Sequence, residues 1–211
     1  MKALIFDLDG VVADSAAAHR RSWARLAGEE GVAFDDHAAR ALLGLTREDS
    51  LTVFLGDRVL DADQRTDWLA RKQRYFLDEL VRMSPDDALP GVRDLLAEAT
   101  RVGMPCALAS SSRNARAVLD RLRLAHAFAF VADGASVAAP KPAPDIFLLA
   151  ARALGVPPAE ALVIEDSAAG AEAALRGGFA LVTVGPERLS PCHFESLAGV
   201  TLTELGRATP G

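Results

Sequence analysis

Two aspartates one residue apart, Asp7 and Asp9 in Asp7-Leu8-Asp9-Gly10, directly follow a short apolar run near the start of this 211-residue chain. Residues two apart in extended backbone project to the same side, so both carboxylates would enter one site. A pair of acids in one site can hold different protonation states and divide the work of a nucleophile and a proton donor. The competing reading is an Asp-Gly hairpin turn, but the apolar residues after Gly10 stop at Ala13, which is short for a pairing strand. Glu165-Asp166-Ser167 ends a later apolar run and precedes a helix-like stretch. Alone it reads as a helix cap with acids favouring the dipole, for which one of the three residues would suffice. Ser110-Ser111-Ser112-Arg113-Asn114 is either an ordinary capped loop or a cradle of hydroxyl and N–H groups for phosphate. Lys141, between Pro140 and Pro142, is either a solvated lysine in a Pro-rich loop or the cation of the site.

These motifs need a frame that brings them together. Five apolar runs read as buried parallel strands: Ala3 to Leu8, Pro105 to Ala109, Phe128 to Ala132, Ala161 to Ile164 and Phe179 to Val184. Helical patterns over Ala115 to Leu124, Ala143 to Leu154 and Ala168 to Arg176 alternate with the later runs, and Val92 to Val102 reads as a crossover helix. The expected fold is α/β, a doubly wound parallel sheet with a Rossmann-like core. The interval between the first two runs is several times the later ones and is helical throughout, with an amphipathic stretch from Asp63 to Leu80. The division expected is therefore an α/β catalytic core over 1–14 and 85–211, with an inserted helical cap domain over 15–84. In such a sheet the first and fourth strands flank the switch point where ligands bind. Asp7, Asp9, Glu165 and Asp166 would meet there, and so dense a set of carboxylates calls for a hard octahedral cation, Mg²⁺.

Composition narrows the partners. Half the residues are apolar and the net charge is -6 with scattered Lys and Arg, so nucleic acid and anionic membrane surfaces are not expected partners. No apolar run is long enough for a bilayer span, and the N-terminal apolar stretch ends in aspartates instead of a cleavage site. Two cysteines, Cys106 and Cys192, make neither a disulfide framework nor a zinc site. A cytoplasmic monomer acting on small phosphorylated molecules is the expectation.

The order D-L-D-G, S-S, K-P and E-D, with a cap inserted after the first signature, resembles the haloacid dehalogenase-like phosphotransferases. The resemblance implies that Asp7 carries the phosphoryl group as an aspartyl phosphate and that Asp9 is the acid/base. It further implies that Ser110 and Lys141 bind the transferring phosphate. The metal would take Asp7, Asp166 and the backbone carbonyl of Asp9, with Glu165 either on the ion or just behind its ligands. Within the family, four stretches resemble the β-phosphoglucomutase branch: His19 and Trp23 on the first cap helix, Gly44 to Asp49, Ala70 to Lys72, and Lys141 to Phe147. That likeness spans about residues 1–185. It implies that Arg47, Ser112 and Asn114 hold the second phosphate of a sugar bisphosphate, with Gly44 and Arg113 in the same substrate-binding set. It leaves Lys72 to contact sugar, His19 to couple closure to Asp9, and Trp23 either to touch sugar or to fill the cap core. Ser15 and Arg113 stand where the family often has Thr and Lys, and the tail 186–211 matches nothing. The implied reaction interconverts β-glucose 1-phosphate and glucose 6-phosphate through a bisphosphate intermediate. A sugar-phosphate phosphatase is the alternative.

Overall fold

The computed structural model describes residues 1–42 and 45–208. Its strands are β1 (Ala3–Phe6), β2 (Cys106–Ala109), β3 (Phe130–Ala132), β4 (Ala161–Glu165), β5 (Ala180–Val184) and β6 (His193–Phe194). They form one parallel sheet of order β3-β2-β1-β4-β5-β6. β1 is central, with Phe6 facing Leu108 of β2 on one side and Ile164 of β4 on the other. Leu4 and Phe6 enter the apolar layer on one face, whereas Ala3 and Ile5 enter the layer on the other. A strand buried on both faces must be apolar at every position, which is why the run is continuous instead of alternating.

Helices α1 (Ala16–Glu30), α2 (Asp36–Ala41), α3 (Arg47–Leu55) and α4 (Ala62–Leu80) fill the interval between β1 and β2. Asp35 and Thr46 start the second and third by accepting from Ala38 and Asp49 N–H, and Asp61 with Gln64 forms a capping box on the fourth. These helices enclose a core of their own, built around Trp23, Leu26, Leu51, Phe54 and Trp68. Ala18, Phe76 and Leu80, at the base of α1 and α4, join the sheet's apolar layer instead. The chain leaves and re-enters the sheet side by side: Ala13 pairs with Ala88, and Asp14 N–H donates to Asp87 O. The remaining helices are α5 (Val92–Arg101), α6 (Ala115–Leu122), α7 (Asp145–Ala153), α8 (Ala168–Arg176) and α9 (Leu202–Ala208).

Some boundaries differ from the sequence reading. β1 stops at Phe6, two residues before Leu8, because Leu8 O accepts from Val12 and Ala13 N–H in a turn through Gly10. Asp9 therefore reaches the site on a turn, not by strand alternation. β3 starts at Phe130 because Ala125–Ala127 forms a short 3-10 turn first, and α6 ends at Leu122 with Arg123 in a left-handed conformation. α7 begins at Asp145, after the two prolines Pro142 and Pro144. In the tail, β6 extends the sheet beside β5 and α9 packs on α5, elements too short to show a period in the sequence. Among the described residues, no helix is long and apolar enough to cross a membrane.

Candidate active site

The four motifs converge above the C-terminal ends of β1, β2 and β4 and the loop after β3. Asp7 is 7% exposed, and its N–H continues the ladder by donating to Ile164 O at 2.9 Å. Lys141 Nζ donates to Asp7 Oδ1 at 2.5 Å and to Glu165 Oε1 at 2.7 Å. Its side chain is 2% exposed, so the solvated-lysine reading fails. Glu165 spends its other oxygen on Asp166 N–H, Ser167 N–H and the Ser167 hydroxyl. The Glu165 carboxylate is thus a bracket that aims Lys141 at Asp7. Capping and site-building coexist in this segment, because Ser167 Oγ accepts from Gly170 N–H and starts α8.

Two glycines let these acids approach. A Cβ on Gly10, whose φ is +84°, would lie 1.9 Å from Asp166 Oδ2, and one on Gly170 would lie 1.7 Å from Glu165 Oε1. Asp7, Glu165 and Asp166 offer oxygens all within 4.8 Å of one another. Burial, together with neighbouring carboxylates, raises Asp7 to about 7 and Asp166 to about 9, while Lys141 partly relieves both. Burial also works against ionised Glu165, but Lys141 and the Ser167 bonds hold it below the ordinary range. Burial opposes charge on Lys141 as well, and Asp7 and Glu165 more than offset this, keeping it protonated. One ammonium does not balance three crowded acids, and an all-oxygen donor set fits a hard divalent cation such as Mg²⁺.

Asp9 lies beside this cluster, with the Ser15 hydroxyl donating to Oδ1. Burial raises its pKa, against the opposing effects of Ser15, Lys141 and Lys72. Ser110 is buried, its N–H donating to Ala132 O at 3.0 Å. The loop beyond it is a less open cradle than its composition implies, because Ser110 Oγ accepts from Ser112 N–H and Ser112 Oγ from Asn114 N–H. Ser110, Ser111 and Ser112 still line the cavity between the sheet and the inserted helices.

Every site residue read from the sequence, apart from Gly44, lines one cavity of about 720 Å³ between the sheet and the inserted helices. Gly44 lies outside the described residues. His19 stacks on Phe76 at 4.1 Å between centroids, and its Nδ1 is 3.0 Å from Lys72 Nζ. Burial first, and Lys72 second, hold His19 well below its usual pKa, so its ring is neutral. Burial and the Arg47 charge bring Lys72 down to about 7, despite Asp9 nearby. Neither is the solvated residue that an amphipathic helix would suggest. Trp23 is 3% exposed and packs on Phe54 at 4.8 Å between centroids, which is the core-filling reading, and it also borders the cavity. Arg113 is exposed at the rim.

Arg47 opens α3 and donates from Nη1 to Gln73 Oε1 at 2.8 Å, while among the described residues its buried Nε has no partner. Gln73 in turn bonds Asn114 at the start of α6, through Nε2 to Oδ1 at 2.6 Å. Sequence reasoning missed Gln73 and gave Ser15 no role. Gln73 has no motif around it, and its one signal is its place next to Lys72.

Residues 1–178 match the family described as haloacid dehalogenase-like hydrolase. The chain is 38% identical over 189 residues to a β-phosphoglucomutase of Bacillus subtilis strain 168, covering 88% of this chain and 84% of the relative. It is 33% identical over 184 residues to the fructose-1-phosphate phosphatase YqaB of Escherichia coli strain K12, covering 86% and 95%. Among solved structures, β-phosphoglucomutase from Clostridium difficile superposes with a TM-score of 0.93 at 29% identity, covering 99% of this chain and 96% of that one.

Proposed function

The chain belongs to the haloacid dehalogenase-like hydrolase family and is an enzyme acting on phosphates, and on that premise we propose that it interconverts β-glucose 1-phosphate and glucose 6-phosphate. The observation that carries this reading is that two phosphate-suited groups line one cavity. Asp7, Ser110 and Lys141 make up the first, and Arg47 on the inserted helices with Ser112 and Asn114 on the loop after β2 make up the second. A phosphatase that acts on a monophosphate needs only the first. A mutase needs both, since its bisphosphate intermediate must present either phosphate to the same aspartate.

In this reading residues 1–14 and 85–211 act as the core and 15–84 as the cap. Asp7 attacks phosphorus, its carboxylate oxygen forming a bond as the bond to the sugar oxygen breaks, and an aspartyl phosphate results. Lys141, held by Glu165, balances charge on the phosphoryl oxygens, to which the Ser110 hydroxyl donates. Asp9, kept protonated longer than an exposed aspartate, gives its proton to the departing oxygen. The ionised Asp9 then takes a proton from the sugar hydroxyl that recaptures the phosphate. Asp7, Asp166 and the Asp9 carbonyl would hold Mg²⁺, with Glu165 beside them. When bound, the cation supplies charge neutralisation to the phosphate and the acids. The cap side of the cavity shields Asp7 from water, so that the acceptor is sugar.

A phosphorus NMR time course with β-glucose 1-phosphate, Mg²⁺ and a bisphosphate primer tests the reading. Glucose 6-phosphate should accumulate, and Asp7→Asn should abolish it. The fructose-1-phosphate phosphatase relative motivates a second reading, sugar-phosphate hydrolysis. Release of inorganic phosphate faster than isomer formation would establish that one instead.

A further inference from the structure

Gln73 lies on α4, between the cap-borne Arg47 and the core-borne Asn114, and it touches both. A guanidinium only donates, so Gln73 must turn Oε1 toward Arg47. That leaves its Nε2 to donate to Asn114 Oδ1, at 2.6 Å, and turns Asn114 Nδ2 toward the same Gln73 Oε1, at 3.3 Å. One acceptor thus collects two donors, Arg47 Nη1 from α3 and Asn114 Nδ2 from the start of α6. Among the described residues Arg47 Nε is buried with no partner, while Nη2 lies 3.7 Å from Glu48 Oε1. The three side chains are half-buried and border the cavity shared with Asp7.

We infer that Gln73 is a positioning residue for the second phosphate. It holds Arg47 and Asn114 as one converging donor pair across the gap between the inserted helices and the sheet. The inference rests on the two-phosphate reading above. Asn114 and Arg47 lie on separate bodies of the fold, so without Gln73 each side chain would have to be ordered by the ligand itself, at an entropic cost to binding. A ligand with a single phosphate, seated against Asp7 and Lys141, does not draw on this pair. Gln73 therefore separates bisphosphates from monophosphates.

Binding is measured by titration calorimetry in an Asp7→Asn background, which prevents transfer, with glucose 1,6-bisphosphate and inorganic phosphate as separate probes. Gln73→Ala should weaken the bisphosphate about tenfold, the scale of a lost hydrogen-bonded arrangement, and leave inorganic phosphate within about twofold. Gln73→Glu keeps the side-chain length and the acceptor for Arg47, but it cannot donate to Asn114 and it adds a negative charge. It should weaken the bisphosphate further and again spare inorganic phosphate. Equal losses for both probes, or no loss for either, would overturn the inference. If the parent protein makes no glucose 6-phosphate while the Gln73 variants still lose the bisphosphate selectively, the positioning role stands and the mutase reading falls.

Discussion

Lys72 is the residue whose environment departs furthest from what its type suggests. An ammonium midway along α4, between His19, Trp23 and Phe76, has its pKa brought down to about 7, first by burial and then by Arg47. The unfolded chain binds this proton up to about 10.4. Between roughly pH 7 and 10 the unfolded state therefore holds more protons than the native one, and this group's contribution to stability rises with pH. Below pH 7 the burial penalty is present in full. Denaturant unfolding of the parent and Lys72→Met across this range should show the parent gaining stability relative to the variant as pH rises. A parallel pair of curves would mean that Lys72 is not so perturbed. Arg47 poses a different question at the same scale. Arg47→Ala removes the planar fork offered to a second phosphate while leaving Asp7, Asp9 and Lys141 as they are. Glucose 6-phosphate formation should drop on the order of ten- to a hundredfold, whereas phosphate release from the aspartyl enzyme should change far less. The ratio of the two products in one NMR time course measures this.

Among the elements, the turn after β1 and the first turn of α8 decide how closely the acids pack. Both depend on a missing side chain. Gly10 combines a φ of +84° with Asp166 at 1.9 Å from where a Cβ would be, so alanine there meets strain and a clash together. Gly10→Ala should cost about 1–3 kcal/mol of stability. On the proposed Mg²⁺ site, added Mg²⁺ should raise the parent's melting temperature, since a cation that binds only the native state stabilises by mass action, and Gly10→Ala should blunt that rise. Melting curves with and without Mg²⁺ check both effects. The Asp-Gly turn is legible in the sequence, and so is its position after an apolar run. Its purpose is not, because the partner carboxylate lies more than 150 residues away in the chain. The strand ends show the same limit. The runs read as strands reach Leu8 at one end and start at Phe128 at another, but the strands themselves end at Phe6 and begin at Phe130, where the backbone turns to serve other contacts.

At the scale of the whole molecule, the sheet order places β1 between β2 and β4, and the inserted helices close over the end where the four motifs emerge. Their own core around Phe54 and Trp68 keeps them a packed unit, while Phe76 and Leu80 seat that unit on the sheet. The parts legible in advance were those with a local signature. Apolar runs and helical periods marked the core strands and helices, and the spacing of D-x-D-G, Ser110, Lys141 and Glu165-Asp166 marked the site. Such patterns arise because burial on a strand or helix face repeats with the backbone's own period. Tertiary structure alone decided that Lys141 is buried between Asp7 and Glu165, and that the loop serines consume some of the N–H groups they were expected to leave open. It also decided that Gln73 joins Arg47 to Asn114, and that the tail adds β6 and α9. Each of these depends on which groups meet across long stretches of chain, and a side chain's partner, protonation and exposure follow from that meeting, not from its neighbours in sequence.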